Sequence, residues 1–160
     1  MSTSIVITST QLQAKGRRAV VSFARTLDRF VQRGAQEFGR EEKKQAPKAF
    51  TILTNSVAVK KNGIADYTVR PGSKYAAWVN NGTAPHQAPL QPLMQWLRLT
   101  KRVSDGKELY ARARGLQRFI AAHGTKANPF VDRTREAMHG RVMVLLHDGV
   151  HTGIREAFPA

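Results

Sequence analysis

The sequence predicts an α+β fold: a long N-terminal helix packed on a small antiparallel sheet, with C-terminal helices. Three observations predict it. Apolar residues recur at three- and four-residue steps across residues 11–45. Residues 55–70 alternate apolar and polar on either side of Asn62-Gly63. The second half returns to helical spacing, punctuated by Gly and Pro.

Each element has a local reason. Ser4 to Thr8 alternates around Ile5 and Ile7, as in a short strand. Thr10 reads as a helix N-cap and Gln13, three residues on, completes a capping box. The helix that follows, roughly residues 11–45, carries Val20, Ala24, Leu27, Val31, Ala35 and Phe38 on one stripe, widened by Phe23 and Phe30. Arg18, Arg25, Arg29, Arg33 and Glu37 occupy the other face. Pro47 ends the helix. At ~1.5 Å per residue it spans about 50 Å, and Gly16, Gly34 and Gly39 are candidate bends. A hairpin comes next, about 55–60 with 64–70, with Asn62-Gly63 in the dipeptide pattern of a tight turn. Pro71-Gly72 breaks it. "KYAAWVNNGTAPH", residues 74–86, then forms a short helical turn.

Pro92 suits a first helical turn ahead of Leu93, Trp96 and Leu97. Residues 100–106 read as a loop. Leu109, Ala113, Leu116 and Ile120 form a narrow stripe closed by Gly124 as a C-cap. Asn128 and Pro129 open a last helix as N-cap and first residue, with Phe130, Ala137, Met138, Val142 and Leu145 on one face.

Composition bounds the function. The chain has 160 residues, the size of one domain. It has no cysteine, which excludes a disulfide framework, a thiolate zinc site and a cysteine nucleophile. No apolar run approaches the ~20 residues of a membrane span, and the start lacks the basic flank of a signal peptide. The expectation is a protein made in the cytoplasm with no membrane partner. Twenty-six Lys and Arg face 11 Asp and Glu, a net charge of +15. Such a field favours polyanions: nucleic acid, an anionic membrane or an acidic protein. The charge is spread along the chain, not held in a tail.

A search for chemistry returns no constellation, so the sequence predicts neither an enzyme nor a cofactor or metal. His147 and His151 would share a helix face, but zinc needs three or four ligands and Asp148 points elsewhere. Gly124-Thr125-Lys126 lacks the spacing of a phosphate-cradling loop. Glu37, Glu41 and Glu42 lie beside Arg40 and Lys44 on what reads as a solvated charged face. Arg102, Lys107, Arg112, Arg114 and Arg118 form the candidate contact set for a DNA backbone or an acidic partner. No base-reading pattern accompanies them. Tyr75 and Trp78, three apart, read as anchors fixing a short helix against the sheet. Gly82 permits the turn after it, and Asn81 and Thr83 satisfy turn backbone groups.

"KYAAWVNNGT" resembles the "YA-x-x-V-E-x-GT" signature of the tail-completion and head–tail joining proteins of long-tailed bacteriophages. The order of further motifs is similar. A long basic helix ends at Ala46-Pro47. A "P…L-x-x-S" segment matches Pro47, Leu53 and Ser56. "G-T-x-x-x-P-F" matches Gly124, Thr125, Pro129 and Phe130, ahead of a C-terminal helix. Asn80 stands where the signature carries an acid, and "AFTIL" where it carries "TG-x-L". The resemblance covers about residues 15–145. It implies one domain, residues 1–160, with a helical insertion at about 88–124. It implies a structural virion protein, made in the host cytoplasm, in the neck or at the head-proximal end of the tail. The implied assembly is a homo-oligomeric, sixfold ring around the DNA channel, with connector, neck and tail-tube proteins as partners. The fold is similar to that of tail-terminator proteins. The alternatives are a minor tail or terminator protein at the tube end, or a stand-alone nonspecific basic nucleic-acid-binding protein.

Overall fold

A computed structural model describes residues 9–48 and 51–159 of the protein. It is α+β. The elements run α1 (Ser9–Gln45), α2 (Thr51–Ser56), β1 (Val57–Gly63), β2 (Asp66–Pro71), α3 (Ala76–Asn81), α4 (Leu90–Lys101), α5 (Gly106–His123) and α6 (Phe130–Ala157). β1 and β2 pair as a two-stranded sheet. Two compact units are each built from separate stretches of chain. One comprises Met1–Phe38, Val59–Val69 and Met138–Ala160, the other Gly39–Ala58 and Arg70–Ala137.

In the first unit, α1 and α6 lie alongside one another in opposite directions. Gly34 faces Leu145, Gly149 meets Phe30 and Leu27, and Gly153 meets Phe23. Gly149 and Gly153, both buried, supply the room that the two phenylalanine rings need. Carboxylates fasten the pair at both ends. The Thr26 hydroxyl donates to Glu156. Glu37 accepts from Arg141 Nε at 2.8 Å and from Arg33 Nε at 2.9 Å. The Arg141 and Arg33 guanidinium groups pull the Glu37 carboxyl down to about 2.

Asp28 ties the hairpin to α1. Its carboxylate accepts from the Ala65 N–H at 2.8 Å, the Tyr67 hydroxyl at 3.2 Å and Lys61 Nζ at 2.5 Å. Lys61 first, then the Ala65 N–H, hold this carboxyl below its ordinary range. Tyr67 and Val69 line an apolar cavity of about 280 Å³ together with Phe30, Val31 and Phe38. The expected packing of the long helix on the sheet is therefore present.

The second unit holds two apolar clusters. Ala46, Leu53, Ala76 and Phe130 form one, with Tyr75, Val79 and Val131 against it. Leu97, Val103, Leu109 and Ala113 form the other, between α4 and α5, which make a helical hairpin with its own core.

Several local expectations shift. The hairpin turn is Ile64-Ala65, and Asn62-Gly63 ends β1. Ala65 takes the positive φ, 54°, because its N–H is held by Asp28. Asn62 instead bonds across the hairpin to Thr68 Oγ1 at 2.8 Å. Residues 51–56 are helical where a strand was expected from 55. Ser56 Oγ donates to the Leu53 carbonyl there, and Leu53 is buried. α1 is described from Ser9, so Thr10 lies inside the helix and not ahead of it. It continues through Gly16, Gly34 and Gly39 as one element. α4 begins at Leu90, putting Pro92 in its first turn, and continues to Lys101. Asp105 caps α5 by accepting from the Glu108 N–H at 2.8 Å. The Ser4–Thr8 strand lies outside the described residues.

Candidate functional site: a paired Gly-Thr clasp and a cationic helix face

The two Gly-Thr motifs, 42 residues apart, meet. Thr83 and Thr125 form an isolated antiparallel bridge. The Thr83 N–H donates to the Thr125 carbonyl at 3.1 Å, and the Thr125 N–H donates to the Thr83 carbonyl at 3.1 Å. The two hydroxyl oxygens stand 2.9 Å apart. Each preceding glycine serves the other motif. Gly82 sits at φ 74°, ψ −177°, and Gly124 at φ 72°, ψ −159°, a region essentially closed to residues with a Cβ. A Cβ on Gly82 would overlap the Thr125 carbonyl, and one on Gly124 the Thr83 carbonyl. Glycine at both positions lets the two backbones close to hydrogen-bonding distance.

The clasp closes the chain around the α4–α5 hairpin. The Gly124 N–H also ends α5 by donating to the Ile120 carbonyl at 2.8 Å. Gln117 Nε2 donates to the Ala88 carbonyl at 2.7 Å, holding the entry loop to α5. His86 Nδ1 lies 3.0 Å from the Ala84 carbonyl. A carbonyl can only accept, so Nδ1 carries the proton.

Asn80 plays a part that sequence reasoning missed. Its Oδ1 accepts from the Val131 N–H at 3.1 Å, at the start of α6. Next to it, the Asn128 N–H donates to the Val79 carbonyl at 3.0 Å. A free N–H of a helix's first turn is thus satisfied by a side chain 51 residues away, where α6's positive end favours an anionic or carbonyl oxygen. Asn128, expected as the cap, turns its Oδ1 to Arg133 instead, at 2.6 Å. The signal was available: Asn80 is the position where the resembled signature carries an acid.

The anchors divide. Phe130 is fully buried, and Tyr75 and Val79 pack with it. Trp78 is 63% exposed and does not fix α3 to a core. Tyr75, Ala76 and Val79 face the cluster; at ~100° per residue they span one arc with Tyr75 at its edge, and Trp78 falls beyond that edge, on the side away from Ala76 and Val79. Instead it lines an open groove of about 600 Å³ with Tyr75, His86, Pro89 and Trp96. The Tyr75 hydroxyl and Glu42 Oε2 are buried with no hydrogen-bond partner among the described residues. Burial pushes the Glu42 carboxyl up.

The five basic candidates are all exposed. Helical spacing sets Lys107, Arg114 and Arg118 on one face of α5. Arg112 lies off it and pairs with Glu108 at 2.5 Å. Arg102 is apart from α5, at the left-handed C-cap of α4 with φ 52°. The His147 and His151 rings meet at a tilt, with centroids 4.2 Å apart and planes 51° from parallel. Among the described residues no three His, Asp or Glu gather as a metal site. No described helix is long and apolar enough to cross a membrane.

Residues 10–82 match a family model, HK97-gp10-like, described as "Bacteriophage HK97-gp10, putative tail-component". Over that stretch the chain is similar to phage tail components. The match takes in α1, the hairpin and the first Gly-Thr motif's glycine, just under half of the chain, and stops before the second motif. It supports a structural protein of a phage tail, found in the virion with other virion proteins as its neighbours. No curated protein and no solved structure matches the chain.

Proposed function

We propose that the chain is a tail-completion or neck component that joins the tail to the head connector, acting as a homo-oligomeric ring, sixfold, around the DNA channel. The observation that carries this reading is the tail-component match over residues 10–82. The clasp supports it, because it brings Gly82-Thr83 together with Gly124-Thr125, the two halves of the resembled motif order. The work is architectural and includes no catalysis. Contact with the passing genome is nonspecific, through exposed cations such as Lys107, Arg114 and Arg118, which touch phosphates without reading sequence.

Electron microscopy of the protein mixed with connector and tail-tube subunits tests the reading. Rings seated between the two support it. A second reading, a stand-alone nonspecific nucleic-acid-binding protein, draws on the net charge of +15. It predicts a monodisperse protein that shifts DNA, with affinity falling steeply as salt rises, and no seating on either subunit.

A further inference from the structure

We propose that the N-terminal half of α1, with the end of α6, is a docking face for an apolar segment of another protein rimmed by Asp and Glu. This face is separate from the α5 cations and from the clasp, and the proposal does not depend on the ring reading. The pairing of α1 with α6 shows why the face exists. Gly153 meets Phe23 and Glu156 meets Thr26, so α6 ends at Ala157 about level with Ser22. α1 continues for more than three turns beyond that point toward Ser9. Its apolar stripe continues with it, but loses its cover. Leu12 is 65% exposed, Val20 68% and Phe158, just past α6, 70%. Ala19, by contrast, is buried. Leu12, Ala19, Ala157, Phe158 and Pro159 line an open groove of about 730 Å³.

Charge selects the occupant. Lys15, Arg17, Arg18 and Arg25 are exposed on the same stretch, and none carries an ion pair among the described residues. The nearby acids are already engaged: Glu156 with Thr26 and Arg29, Asp28 with Lys61. Unpaired cations beside apolar side chains complement a partner with an apolar centre and an acidic rim. Nucleic acid would use the arginines but leave Leu12, Val20 and Phe158 in water. An anionic bilayer takes a convex amphipathic face, whereas this one is a groove. A symmetric pairing with a second copy would set Arg17 and Arg18 against like charge.

Fluorescence anisotropy tests the proposal on the full chain. The probe is a 20-residue amphipathic helical peptide with a Leu/Phe stripe flanked by Glu. Comparators are the same peptide with Lys for Glu, polyglutamate, a 20-base-pair DNA duplex, and vesicles of phosphatidylserine and phosphatidylcholine. The expected result is binding of the acidic amphipathic peptide at least ten-fold tighter than its Lys version or polyglutamate. Leu12→Ser/Val20→Ser and Arg17→Glu/Arg18→Glu should each weaken it by ten-fold or more. These side chains are exposed, so circular dichroism melts should match the parent. Four results would overturn the proposal: peptide binding unchanged in either variant; DNA or vesicle binding that exceeds peptide binding and falls with Leu12→Ser/Val20→Ser; self-association abolished by that variant; or tighter peptide binding once residues 1–8 are removed, which makes the face a seat for the chain's own N-terminus.

Discussion

Replacing Gly124 with Ala strikes the clasp at its tightest point. At φ 72°, ψ −159°, a residue with a Cβ carries ~1–3 kcal/mol of backbone strain. The new methyl would also overlap the Thr83 carbonyl, so the two backbone bonds of the bridge, both 3.1 Å, must stretch or break. Each contributes ~0.5–1.5 kcal/mol. The sum is about 4 kcal/mol within a range of ~2–6. For a chain of this size each kcal/mol moves Tm by ~2–4 °C, so thermal melts followed by circular dichroism should show a drop of roughly 8–16 °C. Gly82→Ala should cost a similar amount for the reciprocal reason. The double variant should cost far less than the sum, because one clasp is lost once, and the cycle should show coupling of ~1–3 kcal/mol. A Gly124→Ala protein within ~0.5 kcal/mol of the parent, or strict additivity, would refute the reasoning.

Asn80→Ala should lose ~0.5–2 kcal/mol as a helix cap, while Asn80→Asp should match or exceed the parent because a carboxylate suits α6's positive end; urea unfolding distinguishes the two. Glu42→Gln should raise stability at any pH where the Glu42 carboxyl is ionised in the fold, since it removes a buried carboxylate whose Oε2 has no partner among the described residues. The Glu42 carboxyl is raised in the fold, so its share of stability is greatest at low pH and is lost as pH rises through its folded value. Glu37→Gln does the reverse: the carboxyl is held at about 2, so the parent's advantage is present above its unfolded value near 4.5 and fades as pH falls toward 2. At neutral pH that advantage should be ~0.5–1 kcal/mol, because Arg33 and Arg141 are largely in solvent. Trp78→Ala should change Tm by less than ~2 °C, about 0.5 kcal/mol, against the larger loss that a buried tryptophan would give.

The long helix, the C-cap at Gly124 and the α5 stripe were legible because each rests on local periodicity or a local backbone demand. The hairpin turn was not. Asn62-Gly63 carries the better turn chemistry, but Asp28, 37 residues away from Ala65, captures the Ala65 N–H and moves the turn two residues on. Tertiary hydrogen bonding outweighed local propensity there, as it did at the start of α6, where Asn80 replaces Asn128 as the cap. Trp78 shows the limit of spacing on a helix of six residues: positions three apart still differ by ~60° around the axis, so Tyr75 sits at the edge of the buried arc while Trp78 falls outside it. The clasp was half legible. Both Gly-Thr motifs stood out in the sequence, but nothing local says that they pair.

The proposed role is that of a structural part of a phage tail acting where tail meets head. Electron microscopy of lysates from the phage with this gene interrupted by a stop codon tests it most directly. The expected result is DNA-filled heads and separate tails that stay unjoined, with complete particles restored by adding the purified protein. Joined, infectious particles that lack the chain would contradict it.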